Sequence, residues 1–340
     1  MKKTIFYSLL VILVISCSVQ AKTADKGKPE WLQNPKSVYP ENRYLTAIGE
    51  GDTRSAAEDM AAGNLSKIFE SEVSADQTVS ERYYELISSE ESEYEQQTDI
   101  TKNITVRSRQ KLFNIQFAES YTDNMGRVHV LAYIDRLRTA GIYEEKIDNN
   151  SMKVNSFLSQ AEKSSDILKK YACYSAARVI SKQNETLLQQ LTIISPSSRE
   201  IIQLPYNSHD ILKSYQHAAE NIKFVVEITN DPDNKVTILV KEILTDMGFV
   251  VGKPPVLIAN GSLVINSTDL NRQDLKFVRY ELQLELSDNK NNSLITISDK
   301  GREGHVSENE AKARAIMTIE NKIKVDLKKK LNEYFDRMVS

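Results

Sequence analysis

Two cysteines, four histidines and a run of carboxylates are the side chains in this 340-residue sequence that could do nucleophilic, metal-assisted or acid–base chemistry. His129, His209, His217 and His305 form neither His-x-x-x-His nor His-Glu-x-x-His, the spacings that turn two imidazoles toward one zinc ion. His209 and His217 are eight apart, two helical turns. His129 falls in an alternating stretch and reads as a solvent-facing or satisfied sheet residue. Glu90, Glu91, Glu93 and Glu95 crowd into one acidic run. A glycosidase pair must oppose its carboxylates across a cleft, and a calcium loop needs a spacing this run lacks, so a solvated loop is expected. Gly-x-Ser-x-Gly is absent. Gly49-Glu50-Gly51 precedes a helix as an anion-cradling loop does. It lacks both the third glycine of a dinucleotide fingerprint and the Gly-Lys-Ser/Thr of a phosphate loop. Glu50 and Asp52 would also repel phosphate, so a structural turn is expected. Cys173, in Tyr171-Ala-Cys-Tyr-Ser-Ala-Ala177, sits on an apolar helical face and reads as a buried, inert thiol. The expectation is a protein that is not an enzyme, with no catalytic residue, metal, cofactor or small-molecule substrate.

Cys17 is different. It follows Met1-Lys2-Lys3 and an apolar stretch from Ile5 to Ile15. Two lysines, about a dozen apolar residues and small residues at the end make an export signal peptide, too short for a membrane span of roughly 20 residues. Val14-Ile15-Ser16-Cys17 resembles the bacterial lipobox. That motif implies cleavage before Cys17, a diacylglycerol on its thiol and a further acyl chain, typically palmitate, on the new amino group. Each buried CH₂ contributes about 0.8 kcal/mol, and one chain alone holds only marginally. Ser18 in place of aspartate implies sorting to the outer membrane. Val19-Gln20-Ala21 also satisfies the small-x-small rule, leaving cleavage after Ala21 and a soluble periplasmic product as the alternative. Lipid attachment at Cys17 is the favoured reading. Cys173 then remains alone and cannot make an internal disulfide.

The elements that follow must carry whatever the anchor holds. Lys+Arg is 44 and Asp+Glu 47, a net charge of −3, so no long-range pull on nucleic acid is expected. Residues 17–36 form a polar tether, in which a dozen flexible residues would reach roughly 20 Å. The remaining length suggests two domains. The predicted class is α+β: two small helix-on-antiparallel-sheet domains, over 37–137 and 223–340, joined by a helical connector over 138–222.

In the first domain Tyr44–Ile48 reads as a strand and Ser55-Ala-Ala-Glu58 as a capping box. The following helix carries Ala57, Met60, Ala61, Leu65, Ile68 and Phe69 on one stripe. Val73 to Tyr84 reads as a second strand or its continuation, 85–99 as a loop, and 100–111 as ambiguous between helix and strand. Phe113, Ile115 and Phe117 alternate, Asp123–Gly126 turns, and Val128, Val130, Ala132 and Ile134 alternate back, as in a hairpin. The connector has helical spacing through Ile147, Val154, Phe157 and Ala161, then Ala177, Ile180, Leu187 and Leu191, and Pro196 ends the run.

The second domain opens on a strand at Phe224–Thr229 and a helix at Val236–Met247 with Gly248 beyond its end. Short strands at Phe249–Val251 and Leu263–Ile265 follow, then a hairpin of Val278–Leu286 and Leu294–Ile297. Ser307-Glu-Asn-Glu310 caps a last helix. On it Lys322, Lys324, Lys328, Lys329 and Lys330 interleave with Glu320, Asp326 and Glu333. That group reads as a solvated face, with a headgroup contact as the other reading. Strand, paired glycines, then an Ala-faced capped helix recurs at Gly301-Arg-Glu-Gly304 with Ala311, Ala313 and Ala315, through either divergent duplication or shared packing physics.

Pro29-x-Trp31, Tyr39-Pro40, Tyr44-Leu and Ile48-Gly-Glu-Gly51, followed by Ala56-Ala57 and Ala61-Ala62, resemble the N-terminal segment of the Lpp-twenty-type bacterial lipoprotein family. The segment is also similar to the first domain of the flagellar assembly protein T. The second domain looks vaguely like the domains of curli-secretion and penicillin-binding-protein-activator lipoproteins. The resemblance implies an envelope lipoprotein on the periplasmic side of the outer membrane, held by its N-terminal lipid and binding other envelope proteins. It implies no catalytic residue. An accessory factor for a periplasm-spanning machine, such as a flagellar motor or wall synthase, is the alternative.

Overall fold

The computed structural model describes residues 27–70, 73, 77–90, 112–118, 120–268 and 275–339. The signal, Cys17, the tether up to residue 26, most of the acidic run and the ambiguous stretch 100–111 lie outside the described residues.

Two short helices, α1 (Glu30–Gln33) and α2 (Pro35–Val38), lead into strand β1 (Tyr44–Gly51) and helix α3 (Arg54–Glu70). The hairpin predicted over 113–134 is present as β2 (Gln116–Phe117), β3 (Tyr121–Thr122) and β4 (Val128–Asp135). Its turn closes by Asp123 N donating to Arg127 O, with Gly126 at a positive φ of 82°. β4 is central and antiparallel to β1 on one side and to β2 and β3 on the other.

Three local expectations for this half are corrected. Gly49-Glu50-Gly51 does not turn but continues β1. Thr53, not Ser55, caps α3: its Oγ1 accepts from Ala56 N at 3.2 Å, while Glu58 pairs with Arg54 at 2.7 Å. The strand predicted from Val73 and the start of the predicted loop are instead helix α4 (Gln77–Glu90). Tyr83 and Leu86, three apart, are buried on it, with Tyr84 and Ile87 partly buried against the same core. On α3 the predicted stripe is buried at Ala57, Ala61, Leu65 and Phe69, whereas Met60 is half exposed.

The middle of the chain is helical, as its spacing predicts. α5 (Arg136–Lys163) and α6 (Ile167–Ile194) pack as a long antiparallel pair, followed by α7 (Pro196–Ile201) and α8 (Ser208–Glu220). Both long helices serve two apolar cores. Ala140, Tyr143 and Ile147 of α5 join Leu187, Leu191 and Ile194 of α6 and the inner face of the first sheet. Val154, Phe157 and Ala161 join Leu168 to Ile180 and the second sheet.

Between the two cores lies a buried polar layer. Asn150 Nδ2 donates to Asn184 Oδ1 at 2.8 Å and Tyr83 Oη to Asn150 Oδ1 at 3.0 Å. Asn184 Nδ2 reaches Tyr206 Oη at 2.9 Å and Ile147 O at 3.1 Å. Buried amides with every partner in place fix one register of the helix pair, which interchangeable apolar contacts would not.

The second sheet holds β5 (Lys223–Thr229), β6 (Val250–Val251), β7 (Leu257–Ser267), β8 (Lys276–Asp288) and β9 (Ser293–His305) in the order β6-β5-β7-β8-β9. The α+β class stands. β7 to β9 form an antiparallel meander, and β5 pairs parallel to both β6 and β7 after crossing over through α9 (Lys235–Asp246). β7 runs well beyond the predicted Leu263–Ile265. The predicted capping box holds: Ser307 Oγ accepts from Glu310 N at 3.3 Å and donates to its carboxylate at 2.8 Å, starting α10 (Glu308–Arg337). α9 and α10 cover one face of this sheet, packing Leu239, Leu244, Ile319, Ile323, Leu327 and Leu331 on Leu263, Leu282 and Leu284.

Candidate functional site

The N-terminal motif residues do structural work. A Cβ on Gly49 would lie 2.1 Å from Ala61 N and 2.2 Å from Ala57 O. A Cβ on Gly51 would lie 2.7 Å from Ala57 N. Glycine is therefore required because the backbone of α3 rests on β1, and the alanines at 57 and 61 let it approach. Neither glycine has a positive φ, so the turn expectation mistook a packing need for a backbone one. On the opposite face Tyr39, Tyr44 and Tyr133 form a ring cluster with centroids 5.3, 5.1 and 5.8 Å apart. The Arg43 guanidinium lies 5.1 Å from the Tyr44 centroid, and Tyr133 Oη donates to Gln116 at 2.7 Å.

At the far end of that face the register sets His129 opposite both Glu50 and Tyr121. His129 Nε2 is 3.0 Å from Asp123 Oδ2 and its Nδ1 3.9 Å from Glu50, while Arg127 bridges Glu50 at 2.7 Å. The His129 contact first, then the Arg127 and Met125 amides, hold the Asp123 carboxyl below its ordinary range. Both ring nitrogens face carboxylates, so the imidazole has no nucleophile to activate. The cluster can close the hairpin electrostatically.

The other sequence candidates do not converge. His209 opens α8 and His217 lies in its last turn, both exposed, and His305 lies beside Glu310. Glu90 ends α4, and Glu91, Glu93 and Glu95 lie outside the described residues. Cys173 is fully buried, and burial raises its thiol pKa. Of the lysine group on α10, Lys322 pairs with Asp326 at 3.0 Å, Lys329 with Glu333 at 4.0 Å, and Lys330 donates to Thr296 O at 2.7 Å. Among the described residues no group of three or more His, Cys, Asp or Glu could hold a metal ion, and no helix is long and apolar enough to cross a membrane.

One constellation was not anticipated from sequence. Among the described residues the second sheet is covered on one face only. On the other, Asn266, Arg279 and Arg302 form one cross-strand row and Val264, Glu281 and Lys300 the next. All six are exposed and line a depression of about 630 Å³. Alternation along β8 predicts that Arg279 and Glu281 share a face. Only the pairing register brings Lys300 and Arg302 beside them.

Residues 29–135 match the LPP20 lipoprotein family. No curated protein matches the chain. Among solved structures, the secreted protein HP1454 from Helicobacter pylori aligns at 12% identity over 85% of this chain and 97% of its own, with a TM-score of 0.39. A minor lipoprotein from Acinetobacter baumannii aligns at 13% identity over 34% of this chain and 93% of its own, with a TM-score of 0.25. At these scores neither likeness carries an argument.

Proposed function

With residues 29–135 assigned to the LPP20 lipoprotein family, we propose that this chain is a non-enzymatic bacterial envelope lipoprotein. Cys17 carries its lipid and holds it on the periplasmic face of the outer membrane, where it binds other envelope proteins. The carrying observation is the order of two independent signals: a lipobox-like Val14-Ile15-Ser16-Cys17, then a tether, then a segment of a lipoprotein family. Gly49, Gly51, Ala57 and Ala61 of that segment pack α3 on β1, and Tyr39 and Tyr44 join the tyrosine cluster, in keeping with a scaffold presenting surfaces. Two sheets on a shared pair of long helices give a body that offers several faces to partners.

Membrane fractionation of the wild type against Cys17→Ala, followed by crosslinking in cells, tests the proposal. Loss of the variant from the outer-membrane fraction, with loss of crosslinks to envelope proteins, is expected. A variant that stays in that fraction as fully as the wild type would show that the lipid is not the anchor.

A further inference from the structure

We propose that the open face of the second sheet binds a phosphorylated sugar at Arg279, Lys300 and Arg302. Arg279 and Arg302 stand directly opposite each other in the β8–β9 register. Like charges in that relation destabilise an antiparallel pair. Lys300 is the next outward residue along β9, which brings a third cation to the same place. Among the described residues no ion pair involves any of the three. Glu281, opposite Lys300, is the one carboxylate among the described lining residues, and Gln283 Nε2 donates to it at 3.0 Å.

Three cations and one carboxylate leave about two positive charges, which matches the roughly −1.5 to −2 of a phosphomonoester at pH 7. Guanidinium forks fit phosphate oxygens two at a time. The depression, about 630 Å³, has the size of a small-molecule site rather than of a lone ion. Asn266 and Glu281 supply donors and acceptors suited to hydroxyl groups. In the row beyond the arginine pair the Phe277 ring covers Gly304, where a Cβ would meet ring carbon at 2.5 Å, and offers a sugar an apolar platform.

A bilayer surface is the poorer occupant. The same face carries Glu227, Glu281 and Glu285 in exposed positions, which an anionic membrane would meet together with the arginines. The inference does not rest on the lipid at Cys17, and its failure would leave that reading untouched.

Calorimetric titration of the full-length protein in mild detergent at low salt provides the test, with glucose 1-phosphate as probe. Glucose, inorganic phosphate and phosphatidylglycerol vesicles are run beside it. Glucose 1-phosphate should bind saturably, at least about tenfold more tightly than inorganic phosphate, and glucose should not bind. Arg279→Gln, Arg302→Gln and Lys300→Gln should each weaken binding by about tenfold, the effect of one charge-assisted hydrogen bond. Neither arginine variant should lower the melting temperature, because each removes a like-charge neighbour. No saturable binding, or binding unchanged by all three substitutions, overturns the proposal. Equal affinity for inorganic phosphate means an adventitious ion only. Vesicle binding that falls with Arg279→Gln, without sugar-phosphate binding, assigns the face to a membrane instead.

Discussion

Arg82 on α4 and Asp336 near the end of α10 form a two-pronged ion pair across 254 residues of sequence. Arg82 Nη1 is 2.5 Å from Asp336 Oδ2, and Nη2 contacts the other carboxylate oxygen. Both side chains are largely buried, at 14% and 11% exposure. The pair ties the end of α10 to a helix inserted between β1 and β2 of the N-terminal sheet. Removing Asp336 leaves the Arg82 guanidinium, in a poorly solvated place, with Glu85 at 3.8 Å instead of its two-pronged partner. Asp336→Ala should therefore lower unfolding stability by about 3 kcal/mol, and Arg82→Met/Asp336→Leu should recover most of that loss. Denaturant midpoints for the wild type, both single variants and the double variant check this. Additive single effects would mean that the pair contributes no coupling.

Gly49 and Gly63, fourteen residues apart, should respond to alanine with opposite signs. At Gly49 an added Cβ would lie 2.1 Å from the backbone of α3, so Gly49→Ala must lever the helix off the sheet, at a cost of about 3 kcal/mol or more. Gly63, inside α3, has nothing within 4 Å of its Cβ position. Gly63→Ala should stabilise by about 0.5–1 kcal/mol through helix propensity. Thermal melts of the two variants give the comparison. A Gly49→Ala protein as stable as wild type would refute the close approach.

Asn184 is the hub of the polar layer between the two cores, fully buried and bonded to Asn150, Ser151, Tyr206 and the Ile147 carbonyl. Asn184→Ala leaves several of these groups without partners and should cost about 2–4 kcal/mol, since each buried group left unsatisfied costs about 1–3 kcal/mol. Hydrogen exchange along α5 should rise near Asn150 and Ser151 more than near Val154 and Phe157. A uniform rise along the helix would argue against a localised role for the layer.

Asp123 gives a pH dependence with a defined sign. His129 and two backbone amides hold its folded pKa below the ordinary value. Its contribution is therefore fully present above the unfolded pKa, about 3.9, and is lost as pH falls through the lower folded value. The melting temperatures of the wild type and Asp123→Asn should converge as pH falls from about 5 through the lower folded value. Carbon-detected titration of the Asp123 carboxyl measures the depression directly, and an ordinary midpoint would contradict it.

What was legible in the sequence was local. Ser307 and Glu310 are three apart, so their capping box could be read directly, and the alternation from Val278 to Leu286 set the outward and inward faces of β8. The spacings through Ile147, Val154 and Phe157 gave the long helices. What depended on distant neighbours was not legible. Gly49 and Gly51 read as a turn because glycine usually signals backbone freedom, whereas here α3, pressed against β1, excludes a Cβ. Val73 to Tyr84 read as a strand because its aromatic and β-branched residues favour strands. Packing of Tyr83 and Leu86 against α6 overrides that preference. The two glycine pairs looked like one repeated device, yet Gly49 receives a helix while Gly301 and Gly304 receive the Tyr280 and Phe277 rings. The Arg279–Arg302 juxtaposition needed a register between strands, which no single strand's pattern contains.

The central claim is that the chain works as a lipid-anchored envelope protein, and the chemical identity of its mature N-terminus tests it most directly. Mass spectrometry of the protein purified from its native membrane should find an N-terminal peptide beginning at Cys17, with a diacylglycerol on the thiol and an acyl chain on the α-amino group. A mature chain beginning at Lys22 with no lipid would contradict the account.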